Sequence, residues 1–171
     1  MSLLRSACKG LETAIARHDA LRSTVDPNDE SLRIAPVFTS QIPLVDLSAL
    51  SAEERESFLN ARIAEEGRTP FDMANGPLVR ATLFRTAPDE LTLLLTGHHM
   101  VLDGWSANQL LEDMGRIYSA AKTKSKPALA PLMPFSSYAL REQEETCAGA
   151  YVENEEYWVK VFAGRAPVLD L

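Results

Sequence analysis

The chain has 171 residues, with 17 lysines and arginines against 24 aspartates and glutamates and a formal net charge of -7. That length suits one compact domain with a sizeable core, and the negative balance argues against nucleic-acid binding, which needs clustered positive charge. No apolar run approaches the roughly 20 residues of a membrane span, and residues 1–10 lack the apolar stretch of a secretory signal.

Cys8 and Cys147 lie too far apart for a metal or redox spacing, so a cytoplasmic protein with buried or inert thiols is expected. A first helix is predicted from Leu3, Leu4, Ala7, Cys8, Leu11, Ala14 and Ile15 on one face. It begins almost at residue 1, as in a chain that starts inside a larger unit. Leu21 to Val25 and Leu32 to Phe38 are short candidate strands around the turn Asp26-Pro27-Asn28-Asp29, and Pro36 limits the second to a sheet edge. A second helix starts at Ser51, where Ser51-Ala52-Glu53-Glu54 fits a capping box, with Phe58, Leu59 and Ile63 as its apolar side.

Strands at about Leu78–Phe84 and Glu90–Thr96 flank Ala87-Pro88-Asp89, a connection short enough for a hairpin. Leu93-Leu94-Leu95 is apolar on both faces, which places the second of these strands centrally, covered on both sides. A loop from Gly97 to Gly104 follows, then a third helix from about Trp105 to Ala121 with Leu110, Leu111, Met114, Ile117 and Tyr118 at helical spacing. A proline-rich stretch, Pro127 to Pro134, precedes two more polar helices, about Phe135–Thr146 and Tyr151–Phe162. The glutamate runs at 142–145 and 153–156 read as exposed helix faces. Lys122, Lys124 and Lys126 read as solvated charges at a helix C-terminus, or as contacts to an acidic partner.

The chemistry concentrates in His98-His99-Met100-Val101-Leu102-Asp103-Gly104. Successive side chains of extended chain face opposite ways, so the two imidazoles are poorly placed to share a metal, and no metal is expected. One histidine should face a cleft while the other points inward. Asp103 and Gly104 fall at the start of the next helix, where a carboxylate suits both cap and dipole. Gly104 would permit a sharp turn and close approach of a ligand.

His98 to Gly104, with Trp105-Ser106 following, resembles the HHxxxDG motif of nonribosomal peptide synthetase condensation domains, in the chloramphenicol acetyltransferase-like superfamily. Arg17-His18-Asp19-Ala20-Leu21-Arg22-Ser23 resembles the family's RHExLRT segment, with Asp for Glu and Ser for Thr. Phe71-Asp72-Met73 with Pro77-Leu78-Val79-Arg80 resembles its FDL…PLxR segment. Tyr157-Trp158, Gly164 and Pro167-Val168-Leu169 resemble the end of the N-terminal lobe. The family's opening SxAQxR segment does not precede the first helix.

The resemblance implies an α/β fold: one lobe of a chloramphenicol acetyltransferase-like two-layer sandwich, a mixed, mostly antiparallel sheet with flanking helices. Residues 1–163 would form the N-terminal lobe and 164–171 the crossover toward an absent C-terminal lobe. It implies amide-bond formation between a donor acyl or peptidyl thioester and the amine of an acceptor aminoacyl thioester. Both substrates would ride on phosphopantetheine arms of peptidyl and aminoacyl carrier proteins, with no bound cofactor. His99 matches the catalytic position, as general base or as the group that positions the amine, and His98 is a packing partner. The resemblance also implies an arginine partner for Asp103, with Arg22 favoured and Arg17 the second candidate. Trp105 and Ser106 would line the substrate tunnel, although a bulky residue in a first helical turn is as often core. This lobe alone is expected to be inactive. The alternatives are an epimerisation domain, a noncatalytic lobe that docks carrier proteins, and a stand-alone CoA-dependent acyltransferase.

Overall fold

The structure, a computed structural model, describes residues 3–29, 31–38 and 41–164. The chain divides into two compact units, Met1–Leu132 and Met133–Leu171. Of the tail 164–171, only Gly164 lies within the described residues.

In the first unit, helix α1 (Leu3–Arg17) runs into a 3-10 turn over Asp19–Arg22, then strand β1 (Ser23–Val25). Leu11, Ala14 and Ile15 are fully buried, as the spacing predicts. Leu21 belongs to the 3-10 turn rather than to the strand. β1 pairs antiparallel with β2 (Leu32–Ile34), which stops two residues short of Pro36, a residue with no amide hydrogen to donate. Helix α2 (Ala52–Arg68) opens on the predicted capping box: Ser51 Oγ accepts from Glu54 N, and Glu54 Oε2 accepts from Ser51 N at 2.9 Å.

The main sheet has the order β3-β4-β5, with β3 (Leu44–Asp46) parallel and β5 (Glu90–Gly97) antiparallel to β4 (Val79–Ala87). Among the described strands β4 is therefore central and β5 lies at the edge, which corrects the expectation drawn from Leu93-Leu94-Leu95. Those leucines are apolar on both faces because helices cover both faces, not because strands flank both edges. β3 has no counterpart among the predicted strands: three residues after Pro43 are too few to show an alternation.

The faces sort by parity. Leu83 and Leu93 pair in register and line an apolar cleft with Ala7 of α1 and with Met114 and Tyr118 of helix α3 (Gly104–Thr123). Phe84 faces the other way and meets Phe58 of α2 edge-on, with ring centroids 6.2 Å apart. α2 covers its face lightly: no residue of it is buried, and Ile63 of the predicted apolar side is largely exposed. The core lies on the α1–α3 side, where Leu11, Ile15, Leu78, Val79, Val101, Leu110 and Ile117 form one cluster.

The second unit carries α4 (Phe135–Cys147) and α5 (Val152–Val161), neither with a buried residue. Trp158 stacks on Phe162 at 5.8 Å and meets Tyr157 edge-on at 5.2 Å. The glutamates of both runs are exposed. Cys147 is exposed too, so the buried alternative does not hold for it among the described residues, whereas Cys8 is half-buried and burial pushes its thiol pKa up. Among the described residues no helix is long and apolar enough to cross a membrane.

Candidate active site

The His98–Asp103 segment is a single tight turn between the end of β5 and the start of α3. His98 N donates to Leu78 O at 2.9 Å, which extends the β4–β5 ladder by one residue. Its carbonyl then accepts from Val101 N at 2.9 Å and Leu102 N at 3.2 Å, and its ring Nδ1 accepts from Met100 N at 3.2 Å. Val101 is buried in the core and Leu102 packs against it. Anchored at both ends, the turn raises His99 and Met100 to the surface while His98 stays half-buried. One imidazole points in and one points out, as alternation predicts. Among the described residues no three His, Cys, Asp or Glu side chains converge to hold a metal.

Gly97 permits the tight return. A Cβ there would lie 2.6 Å from Leu102 Cδ2 and 2.8 Å from Leu102 Cβ, inside any tolerated separation. Gly97→Ala should therefore displace Leu102 and the turn with it, at a cost of about 1–3 kcal/mol for overpacking. Urea unfolding, with amide shifts over His98–Leu102, measures both effects; unchanged shifts would refute the role of the close approach.

Asp103 is the N-cap of α3. Its carboxylate accepts from Ser106 N at 2.7 Å and from Ser106 Oγ, and Ser106 Oγ accepts from Asp103 N at 3.5 Å, a reciprocal capping box. The Ser106 hydroxyl, the Ser106 amide and the nearby His99 together hold the carboxyl below its ordinary pKa. A depressed folded value means the cap's stabilisation is complete above the ordinary aspartate range, about 3.9, and is lost as pH falls through the depressed value. Protection of the Ser106 amide should therefore stay level from neutrality to about pH 4 and fall only below it. Loss already near pH 6 would contradict the assignment.

Neither arginine reaches Asp103. Arg22 Nε donates to Ala16 O at 3.2 Å and its Nη1 donates to Ala35 O, so this side chain ties the 3-10 turn to the end of β2. Arg17 Nε donates to Asp113 Oδ2 at 3.0 Å and its Nη2 to Ala130 O. His18 Nε2 meets the same Asp113 oxygen at 3.1 Å, and because a carboxylate only accepts, Nε2 carries the proton. The favoured pairing of Arg22 with Asp103, and the second candidate Arg17, are both corrected. The reason is positional: α1 packs against α3 about ten residues beyond its N-terminus, which puts Arg17 beside Asp113. Asp113 is 1% exposed, and no motif singles it out. The available signal is its place three residues after Leu110 and four before Ile117, a charge on the apolar stripe of the helix.

Gly104 is the first residue of α3, and a Cβ there would meet nothing within 4 Å. Its φ is not in the left-handed region, so the backbone there does not draw on glycine's conformational freedom, while the space above it is open. Trp105 is 87% exposed and stands outside the core that the described residues form. Ser106 takes part in the cap, with its amide and hydroxyl both donating to the Asp103 carboxylate. Lys122 stands in the last turn of α3, over the Tyr118 ring at 5.6 Å.

Phe71 and Arg80, which the sequence presents only as parts of a family-like segment, stand beside the turn. The Phe71 ring meets the His98 ring edge-on, 5.8 Å between centroids and 89° between planes. The Arg80 guanidinium lies over Phe71 at 3.9 Å.

The condensation domain family model matches residues 3–171 of the chain. Malpinin synthetase of Mortierella alpina is 35% identical over 158 residues, covering 91% of this chain and 2% of the relative. The dimodular nonribosomal peptide synthase of Bacillus subtilis (strain 168) is 37% identical over 143 residues, 83% of this chain and 6% of the relative. The starter condensation domain of rhizomide synthetase RzmA superposes with a TM-score of 0.83 at 22% identity, covering 98% of this chain and 42% of that one. VibH, a nonribosomal peptide synthetase condensation enzyme, gives 0.76 at 20% identity, covering 97% and 38%. These two likenesses establish the shared chloramphenicol acetyltransferase-like fold, and the chain spans less than half of each solved chain and a few per cent of each curated relative. The chain belongs to the condensation domain family found in nonribosomal peptide synthetases.

Proposed function

We propose that this chain is the N-terminal lobe of a condensation domain, residues 1–163 forming the lobe and 164–171 the crossover to a C-terminal lobe. The domain would join a donor acyl or peptidyl thioester to the amine of an acceptor aminoacyl thioester, in the cytoplasm. Both substrates arrive on phosphopantetheine arms of carrier proteins. Coverage of about two fifths of the solved condensation domains supports the assignment to one lobe. The observation that carries the reaction is His99, exposed at the tip of a turn that is hydrogen-bonded and core-anchored on both sides.

In the reaction the acceptor nitrogen attacks the donor thioester carbon. The C–N bond forms, the C–S bond breaks, the donor arm leaves as a thiolate, and the proton lost by the nitrogen passes through the base or solvent to that sulfur. An α-amino group has a pKa of about 7.7–8.0, so an appreciable fraction is already nucleophilic near neutrality. General base catalysis contributes roughly 10²- to 10⁴-fold, whereas holding two reactants in place contributes roughly 7–11 kcal/mol. Positioning in the tunnel is therefore the larger effect, and a lobe without its partner builds half a tunnel and is inactive by itself. The test is to load donor and acceptor carrier domains, add the complete two-lobed domain, and follow product on the acceptor arm by intact mass. An amide product supports the reading. With both arms loaded and the domain folded, absence of product would sink it, and so would a free acid from hydrolysis alone.

A further inference from the structure

Arg80 begins on β4, yet its side chain is spent at the far end of α2. Nε donates to Glu66 Oε2 at 2.9 Å, Nη1 to Pro70 O at 3.2 Å, and Nη2 to Thr69 O at 2.9 Å and Glu66 O at 3.4 Å. Every nitrogen of the guanidinium is engaged, so the plane of the fork is fixed. Glu66 also accepts from Arg62 Nη2 at 3.4 Å, which ties the fork into the last turns of the helix. The fixed plane covers one face of Phe71 at 3.9 Å, a cation over a π-face. The same ring meets His98 edge-on, the favourable aromatic geometry. His98 in turn accepts the Met100 amide on Nδ1, across the residue that carries the outward imidazole.

From this chain of contacts we infer that Arg80 is a positioning residue for His99, acting through Phe71 and His98. Phe71 is a wedge between a guanidinium that cannot turn and an imidazole that must not. With the His98 ring held, Nδ1 stays aimed at Met100 N, and the turn keeps His99 at one height and direction. If the wedge loosens, His98 can rotate, the Met100 amide is released, and His99 samples several orientations. A lysine at position 80 keeps the charge but loses both the fork and the flat face.

The first measurement needs no catalysis: nitrogen-15 spectra of the His98 ring and hydrogen exchange at Met100 in this chain, at neutral pH. The native chain should show His98 protonated on Nε2 and bare on Nδ1. Arg80→Lys and Phe71→Leu should mix the tautomers and speed Met100 exchange roughly five- to tenfold, the worth of one hydrogen bond. Phe71→Tyr should restore the native pattern. In the complete synthetase, Arg80→Lys should lower kcat roughly 10- to 100-fold, with KM within about twofold. If Arg80 merely caps α2, Arg80→Lys will lower the unfolding midpoint while His98 tautomer, Met100 exchange and kcat stay native, and the inference falls. Should Arg80→Lys not fold, Phe71→Leu leaves the α2 cap intact and decides by the same readouts. The kinetic arm rests on the proposed role of His99 and the spectroscopic arm does not. A native-like clamp with an inert His99 would reject the function and leave the clamp standing.

Discussion

Replacing His99 by alanine in the complete two-lobed enzyme is expected to slow amide formation by roughly two to four orders of magnitude. The size of the loss separates the two roles proposed for it. A general base is worth roughly 10²- to 10⁴-fold, about 3–5 kcal/mol of barrier at 1.36 kcal/mol per decade. A loss of only a few-fold would reject the base and leave His99 as a group that orients the amine. The rate should be read under single turnover with both carriers preloaded, so that docking and product release do not mask the chemical step. His98→Ala is the informative companion. It removes the acceptor of the Met100 amide and the edge of the Phe71 contact, so its effect is transmitted through His99. In a His98/His99 double variant the two losses should be strongly sub-additive, because the second change acts on a group already gone. Full additivity would mean that His98 acts on the substrate by a route of its own.

The largest effect on stability is expected at the bracket between α1 and α3. Arg17→Met leaves the Asp113 carboxylate, with 2% of its side chain exposed, facing only His18. Its Oδ1 is buried as well and accepts no hydrogen bond among the described residues. Removing one partner of a buried pair costs about 3–5 kcal/mol, since the remaining charge stays in a poor solvent. Arg17 is 23% exposed, which lets water relieve part of that cost and points to the lower end. At about 2–4 °C per kcal/mol for a chain of this size, the melting point should fall on the order of 10 °C. The Arg17→Met, Asp113→Leu double variant should regain much of the loss, because a hydrophobic replacement of both partners removes the desolvation penalty together with the attraction. A single-variant cost below about 1 kcal/mol, the size seen for solvent-exposed pairs, would show that the bracket is no more than surface decoration.

Features that depend on neighbours along the chain are legible in the residues themselves. Capping at Ser51 and Asp103 joins residues three apart, and the β4–β5 hairpin joins strands separated by two residues, so both are written in local chemistry. The inward and outward turn of His98 and His99 is local as well, set by alternation and by Val101 and Leu102 being apolar. The family, too, is readable from short segments in order.

Which charged groups meet is settled only by the packing of distant elements. Arg17 and Asp113 are 96 residues apart, and Arg80 and Glu66 are 14 apart. Such pairs depend on where along α3 the helix α1 packs, and on which end of α2 lies over β4. No local spacing encodes either, which is why Arg22 and Arg17 match a motif and still do not find Asp103. β3 escapes notice for the same reason, since a three-residue strand is specified by the β4 edge it joins rather than by its own pattern.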